Sequence, residues 1–561
     1  MKKSFSISAV RLAQMVILAC LVFTVSAQIP GGGQKPGNAD AKLARPKLVV
    51  GLMVDQMRWD FLYRFYDRYS EGGLKRMLRE GATCENTLIP YAQTVTASGH
   101  SCAYTGSVPA INGIMGNDWY DRRLGRFVYC VEDSSVSVLG GTSKSEPMSP
   151  RNLWVTSIAD ELRLATNFKS KVIGVAIKDR GSILPAGHTG TAYWYEGANG
   201  NWVSSTFYMN NLPAWVNAFN SRKVVDSLTR LNWNTLHPIE TYIQSDKDNM
   251  PYEGRYVRDA SPVFPYKFDT LAGRNYGIIR ATPQGNTLTM QFAREAVVQE
   301  GLGQDDITDM LAISLSSPDY IGHQFGPNSI EIEDTYLRLD REFADFFAFL
   351  DAKVGKGAYT VFLTADHAVA HVPQYLKEHG IPVRTLANKV NELNQKAESA
   401  LGIAGVIEES ANYQLYLNYA EIAKKRGKTV QDVEDFLLKE LNSDTTVLVA
   451  FKLSKTNETN LPAPVKEMFV QGYNIKLSGD IQVILKAGFF QGGTTGTTHG
   501  SWYPYDSHVP LVFMGWGIRP GIVIRQTYMT DIAPTLGSIL HVQMPSGNIG
   551  QAIPEVIAGG R

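Results

Sequence analysis

A chain of 561 residues, 44% of them apolar and 19% charged, has the material for a large buried core and is neither disordered nor fibrous. Its 54 basic residues balance 54 acidic ones, so no global field recruits nucleic acid as a specific partner or an anionic membrane surface. An anionic substrate has to be held by local groups.

Met1-Lys-Lys opens a short basic segment, an apolar run follows from Ala9 to Val25, and Val25-Ser26-Ala27 has the small-x-small form of a cleavage site. Residues 1–27 are expected to be a signal peptide that delivers the mature chain to the periplasm or the exterior. The alternative is a lipoprotein anchored through Cys20. No later stretch has the roughly 20 uninterrupted apolar residues of a membrane span, so stable insertion is not expected. Residues 28–46, rich in Gly, Pro, Ala and Lys, read as a flexible lead. Loss of Cys20 leaves Cys84, Cys102 and Cys130, which is no disulfide scaffold; one bridge is possible and its pairing is open. None of them has thiolate zinc spacing, so a metal would need His and carboxylate ligands.

The fold is expected to start at Lys47, where an apolar run ends in Asp55 and gives way to helical periodicity through Trp59, Leu62, Phe65 and Tyr66. Gly72-Gly73 precedes a helix-like Leu74–Glu80 segment. Pro90 to Ser101 then carries Thr94, Thr96, Ser98 and Ser101 around a loop-to-helix transition. Such hydroxyls cap helices, or one of them serves as a nucleophile where free N–H groups stabilise a phosphate. A Gly-flanked loop could present the amide of Asn117. The strand-like Lys171–Ile177 ends in Lys178-Asp-Arg180, two cations at the end of an apolar run.

Residues 192–287, rich in Trp, Tyr, Asn and Pro and weakly periodic, read as an insertion. After a helical segment around Gln291–Glu300, the strand Asp309–Leu315 leads to Asp319 and His323, four apart and so on one helical face. An amphipathic helix from Glu331 to Val354 precedes Tyr359-Thr-Val-Phe-Leu-Thr364, an apolar strand that ends in Asp366-His367. Residues 373–488 look like a second insertion or cap, a Gly and Thr-rich loop places His499, Tyr505–Gly515 reads as the last strand, and Met529–Leu540 as a closing helix.

Four apolar strands therefore end in ionisable groups: Asp55; Lys178 with Arg180; Asp319 with His323; Asp366 with His367. Buried strands of this kind form parallel sheets, and ligands collect beyond their carboxyl ends. Taken singly, each pair is also explained by helix capping or by a hydrogen-bonded histidine. Together with His499 they make a nitrogen and oxygen set suited to two zinc-like ions.

Val54-Asp55-Gln-Met-Arg, Thr94-Val-Thr96-Ala-Ser-Gly-His, Asn117-Asp-Trp-Tyr, Lys178-Asp-Arg180, Asp319-Tyr-Ile-Gly-His323, Thr364-Ala-Asp366-His367, Thr497-Thr-His499 and Thr530-Asp-Ile-Ala-Pro-Thr together resemble the alkaline phosphatase superfamily, most closely its bacterial PafA-type members. The resemblance implies a three-layer αβα sandwich around a mostly parallel central sheet, a catalytic domain over 47–561 with insertions at about 192–287 and 373–488. It implies two Zn2+ per chain, one on Asp319, His323 and His499, the other on Asp55, Asp366 and His367 with the Thr96 oxygen. Thr96 would be the nucleophile, and Asn117, Lys178 and Arg180 would contact the phosphoryl oxygens. Thr94 or Ser98 could serve instead with a shift of two residues. Ala368 stands where the family often has Gly, which touches no proposed ligand.

The expected function is an exported zinc-dependent phosphomonoesterase that hydrolyses small-molecule phosphate monoesters through a phospho-threonine. Two cations suit the charged non-bridging oxygens of a monoester better than those of a diester. A phosphodiesterase or nucleotide pyrophosphatase of the same superfamily is the alternative, and a non-catalytic metal-bound surface protein that binds phosphate or glycans a second one. A sulfatase would need a Cys/Ser-x-Pro-x-Arg context, which Cys84 and Cys102 lack. Of the remaining histidines, His371 and His508 are expected nearest the metals.

Overall fold

Leu48–Val54 reads LVVGLMV, and every residue in it is buried. A strand apolar on both faces belongs at the centre of a sheet covered on both sides. It pairs in parallel with Tyr359–Thr364 on one side and Asp309–Leu315 on the other. Val172–Ala176 and then Thr191–Glu196 continue the parallel array beyond Asp309–Leu315. The computed structural model describes residues 44–558. The expected signal peptide, Cys20 and nearly all of the 28–46 lead lie outside them.

Among the described residues the central sheet has 11 strands. Asn201–Ser205 and Val138–Leu139 extend one flank antiparallel. On the other flank Leu511–Gly515 runs antiparallel to Tyr359–Thr364 and to Gly81–Leu88, and Gly521–Tyr528 lies parallel to Gly81–Leu88. Helices Thr96–Thr105, Ile158–Ala165, Asp179–Ala186 and Ile532–Leu540 pack on one another, as do Leu74–Glu80, Gln284–Glu300, Ser317–Phe325 and Ile330–Leu350. The fold is thus mixed α/β around a large, mostly parallel sheet.

Several elements differ from the sequence expectation. Thr191–Glu196 and Asn201–Ser205 belong to the central sheet, so insertion proper begins only after them. Their short aromatic runs hide the period-two pattern. The remainder of 192–287 is turns and short helices folded around buried Trp233, Tyr256, Tyr266 and Phe268. Gly81–Leu88 was not legible as a strand, because GATCENTL lacks strand alternation; pairing on both sides imposes the extended form.

The 373–488 segment holds a separate four-stranded antiparallel sheet, Ile407–Ala411, Gln414–Leu417, Ile481–Leu485 and Val447–Lys452, with its own apolar core from Leu393 to Ile481. The amphipathic helix ends at Leu350, before a π turn at Asp351–Gly355. Cys84, Cys102 and Cys130 are buried free thiols, so the one bridge held possible is not formed. Among the described residues no helix is long and apolar enough to cross a membrane.

Close approach between layers depends on glycine at a few points. A Cβ at Gly99, in Thr96–Thr105, would stand 2.2 Å from the Asp366 carbonyl oxygen. Because that neighbour is backbone, it cannot swing away. Gly99→Ala is therefore expected to destabilise the fold by about 1–3 kcal/mol, measured as a lowered midpoint in urea unfolding; an unchanged midpoint would contradict this packing.

Candidate active site

The carboxyl ends of the parallel strands converge. Asp55 follows Leu48–Val54, and its N–H continues the ladder by donating to the Leu315 carbonyl at 3.1 Å. Lys178, just past Val172–Ala176, brings its buried ammonium to 2.7 Å from both Asp55 Oδ2 and Asp319 Oδ2. The same Nζ lies 3.4 Å from Thr96 Oγ1, at the first residue of Thr96–Thr105. Of the other two candidate hydroxyls, Thr94 donates to the Ser501 carbonyl at 2.7 Å and Ser98 to the Ile114 carbonyl at 3.2 Å.

Asn117 Oδ1 accepts from the Ala97 N–H at 3.0 Å, which ties the amide to the start of the Thr96 helix. Arg180 donates to the Tyr129 hydroxyl at 2.9 Å, and that hydroxyl donates in turn to Asp179 Oδ1 at 2.5 Å. A Tyr and an Asp thus hold the guanidinium. Asp179 was visible in the Lys-Asp-Arg run, whereas Tyr129 comes from a distant hairpin and had no sequence signal.

Each ligand-type imidazole is anchored through one nitrogen. Nδ1 of His323 donates to the Thr497 carbonyl at 2.8 Å, Nδ1 of His499 to Thr94 at 2.7 Å, and Nδ1 of His367 to Ala368 at 3.0 Å. With the proton on Nδ1, Nε2 of His367 and of His499 keeps its lone pair, the arrangement of metal-bound histidines, whereas desolvation of His323 is outweighed by the adjacent Asp319, which raises the pKa of that imidazole. His323 Nε2 lies 3.2 Å and His499 Nε2 3.5 Å from Asp319 Oδ1.

Donor atoms gather in two groups, Asp55 with Asp366 and His367, and Asp319 with His367 and His499, each within 4.8 Å. His323 and His499 both bring Nε2 to Asp319 Oδ1, so the structure also places the Asp319, His323 and His499 set of the sequence expectation side by side. His367 stacks on His499 with ring centroids 3.5 Å apart and so stands at the border of the two groups, while His323 flanks Asp319 and its ring centroid is 5.0 Å from that of His499.

The donor set fits divalent cations. Asp55 Oδ1, Asp366 Oδ2 and His367 Nε2 are buried and lack a hydrogen-bonding partner. Polar atoms in that state cost free energy unless something pairs them. Burial and the adjacent Asp366 hold Asp55 well above the usual carboxylate range, and burial raises Asp366 to about 6. Burial opposes ionisation of Asp319 too, yet His323 and Lys178 bring it well below its ordinary value. Burial pushes His367 and His499 down to about 3, so both are neutral ligand-type imidazoles at neutral pH.

His371 and His508 lie outside this set. His371 donates to Asn328 Oδ1 at 2.6 Å and stacks on Tyr375; His508 donates to the Glu85 carbonyl at 2.9 Å and stacks on Trp59. A histidine that does reach the site is His100. Its Nδ1 donates to the Thr96 carbonyl at 2.9 Å and stands 3.4 Å from Asp366 Oδ2, and its Nε2 accepts from Ser314 at 2.8 Å. Gln56, adjacent to Asp55, also contacts two of the carboxylates.

Comparison with known proteins accords with this geometry. Residues 49–506 match the family described as type I phosphodiesterase / nucleotide pyrophosphatase. The chain is 50% identical over 521 residues to alkaline phosphatase PafA of Elizabethkingia meningoseptica, covering 91% of this chain and 95% of that protein. It is 48% identical over 546 residues to alkaline phosphatase PhoV of Synechococcus elongatus, covering 97% and 98%. A protein of Myroides odoratus named calcium-transporting ATPase is 51% identical over 527 residues, covering 92% and 96%. The crystal structure of wild-type PafA superposes with a TM-score of 0.90 at 49% identity, covering 92% of this chain and all of that one. The chain belongs to the type I phosphodiesterase / nucleotide pyrophosphatase family and, within the alkaline phosphatase superfamily, groups with the alkaline phosphatases.

Proposed function

We propose that this chain is an exported phosphomonoesterase that transfers the phosphoryl group of small phosphate monoesters to Thr96 and then to water, with two zinc ions as cofactors. The observation that carries the reading is the position of Thr96. Its hydroxyl opens a helix, 3.4 Å from the Lys178 ammonium, in a site where buried Asp55, Asp366 and His367 keep unpaired atoms. Export rests on the sequence of residues 1–27 alone.

Asp55, Asp366 and His367 would hold one ion, and Asp319, His323 and His499 the other. Bound zinc would lower the pKa of the Thr96 hydroxyl and neutralise charge on the departing oxygen. The chain's own residues do the rest. Thr96 Oγ attacks phosphorus in line with the ester oxygen; the P–O ester bond breaks and the alcohol leaves with a proton. Water then attacks the phospho-threonine, releases inorganic phosphate and restores the hydroxyl.

Lys178 and Arg180 supply charge to the non-bridging oxygens, and Asn117 an amide donor fixed to the helix start by Ala97. The hydrogen bonds of Thr94 and Ser98 to carbonyls favour Thr96 among the three hydroxyls. A solved PafA variant is altered at one Thr, one Asn, one Lys and one Arg, the residue types of Thr96, Asn117, Lys178 and Arg180 in the same order. Phosphodiester hydrolysis is the second reading, since the matching family carries that name. Two cations set against the phosphoryl group favour the monoester.

Thr96→Ala is expected to lower kcat on an aryl monophosphate by roughly 10^3-fold or more and to abolish trapping of a phosphorylated residue in acid-quenched protein analysed by mass spectrometry. A fully active variant would sink the mechanism. Arg180→Ala is expected to cost roughly 10^2–10^3 in kcat/KM on the monoester and far less on its methyl diester; equal losses, or faster diester turnover by the wild type, would favour the second reading. Chelation is expected to remove activity and zinc to restore it, whereas activity indifferent to chelation would exclude a metal-dependent centre.

A further inference from the structure

Gln56 has no role in the chemistry above, yet it occupies the most constrained backbone position at the site. It follows Asp55 directly, adopts φ of +68°, and is 2% exposed. Side chains rarely enter this left-handed region, and a residue held there points to a constraint from its surroundings.

The conformation turns two donors onto different neighbours. Instead of extending the ladder, the Gln56 N–H donates to Asp366 Oδ1 at 3.1 Å, and the side-chain Nε2 donates to Asp319 Oδ1 at 2.6 Å. A carboxylate accepts, so the nitrogen of the amide is the atom that faces Asp319. The other amide atom lies over Gly322, where a Cβ would come within 1.9 Å of Gln56 Oε1. Gly322 sits between the ligand-type residues Asp319 and His323 in one helix, and only glycine leaves room for this amide.

Asp366 belongs to one donor group and Asp319 to the other. Their strands flank the central one from opposite sides, so a residue at the end of the central strand can touch both. The Gln56 N–H and the His367 N–H, at 3.0 Å, both hold Asp366 Oδ1, which leaves Oδ2 as the unpaired oxygen. Asp319 is held through Oδ1 by Gln56 and through Oδ2 by Lys178.

We propose that Gln56 is a positioning residue that sets the separation of the two ligand carboxylates and thereby the affinity with which the chain takes up its pair of divalent ions; the proposal rests on the two-ion reading above. Its backbone N–H orients Asp366 and its side-chain amide orients Asp319, and it touches neither substrate nor ion.

The test is zinc titration of the metal-free full-length chain, with bound zinc counted by elemental analysis, for the wild type, Gln56→Gly and Gln56→Glu. Glycine suits the left-handed backbone, so Gln56→Gly removes the amide without adding strain, and its metal-free melting temperature is expected to match or exceed that of the wild type. Its N–H to Asp366 survives. The ion at Asp319 is therefore expected to bind about 10–100-fold more weakly, while the ion at Asp366 binds as in the wild type. Gln56→Glu, which sets a carboxylate against Asp319, is expected to show a loss at least as large. If Gln56→Gly takes up both ions with wild-type affinity, the proposal is overturned while the two-ion reading stands. A wild type that binds fewer than two ions overturns both.

Discussion

Three carboxylates, those of Asp55, Asp319 and Asp366, are buried in one space with a single close ammonium, that of Lys178. Removing charge from water costs several kcal/mol per ion unless it is paired. Lys178 contacts two of the three carboxylates, and the shortfall appears as unpaired oxygens on Asp55 and Asp366 and as a raised pKa at both. That deficit of positive charge is what divalent cations and a cation-lined phosphoryl site would use. The surrounding structure serves to hold these groups together against their own repulsion.

It does so with backbone more than with side chains. The imidazoles of His323, His367 and His499 are oriented by the carbonyls of Thr497, Ala368 and Thr94, each from a loop that also carries or adjoins a site residue. The Thr94 carbonyl that orients His499 stands two residues before Thr96, so the His499 ring is anchored to the loop that carries Thr96. Asn117 meets the same segment at Ala97, and Gly99 lets the helix reach the Asp366 backbone. Displacing any of these pieces displaces the others.

How much of this was legible follows from the range of each interaction. Leu48–Val54, Val172–Ala176, Asp309–Leu315 and Tyr359–Thr364 announce themselves through unbroken apolar runs, because a strand buried on both faces has no polar alternative. Gly81–Leu88 did not, since its extended form comes from partners more than 400 residues away in Leu511–Gly515 and Gly521–Tyr528. Within 192–287, the short aromatic strands Thr191–Glu196 and Asn201–Ser205 resemble irregular chain until they are paired in the central sheet. At the site, Asp319 and His323 share a helical face by spacing alone, whereas the Tyr129 contact to Arg180 and the stacking of His367 on His499 depend on distant segments.

By itself the sequence determined which residue types stand at the ends of which strands, since hydrophobic patterning is local and a strand that is apolar throughout has only one place to go. It therefore placed Asp55, Lys178, Arg180, Asp319, His323, Asp366 and His367 at strand ends, whereas Thr96 was singled out from its neighbouring hydroxyls only by the resemblance to the alkaline phosphatase superfamily. Only the tertiary structure decided which atoms of Asp55, Asp366 and His367 are left unpaired, that His367 adjoins both donor groups, and that Gln56 spans two carboxylates from a left-handed backbone. Those outcomes are set by ångström-scale contacts among segments hundreds of residues apart, which no local pattern encodes.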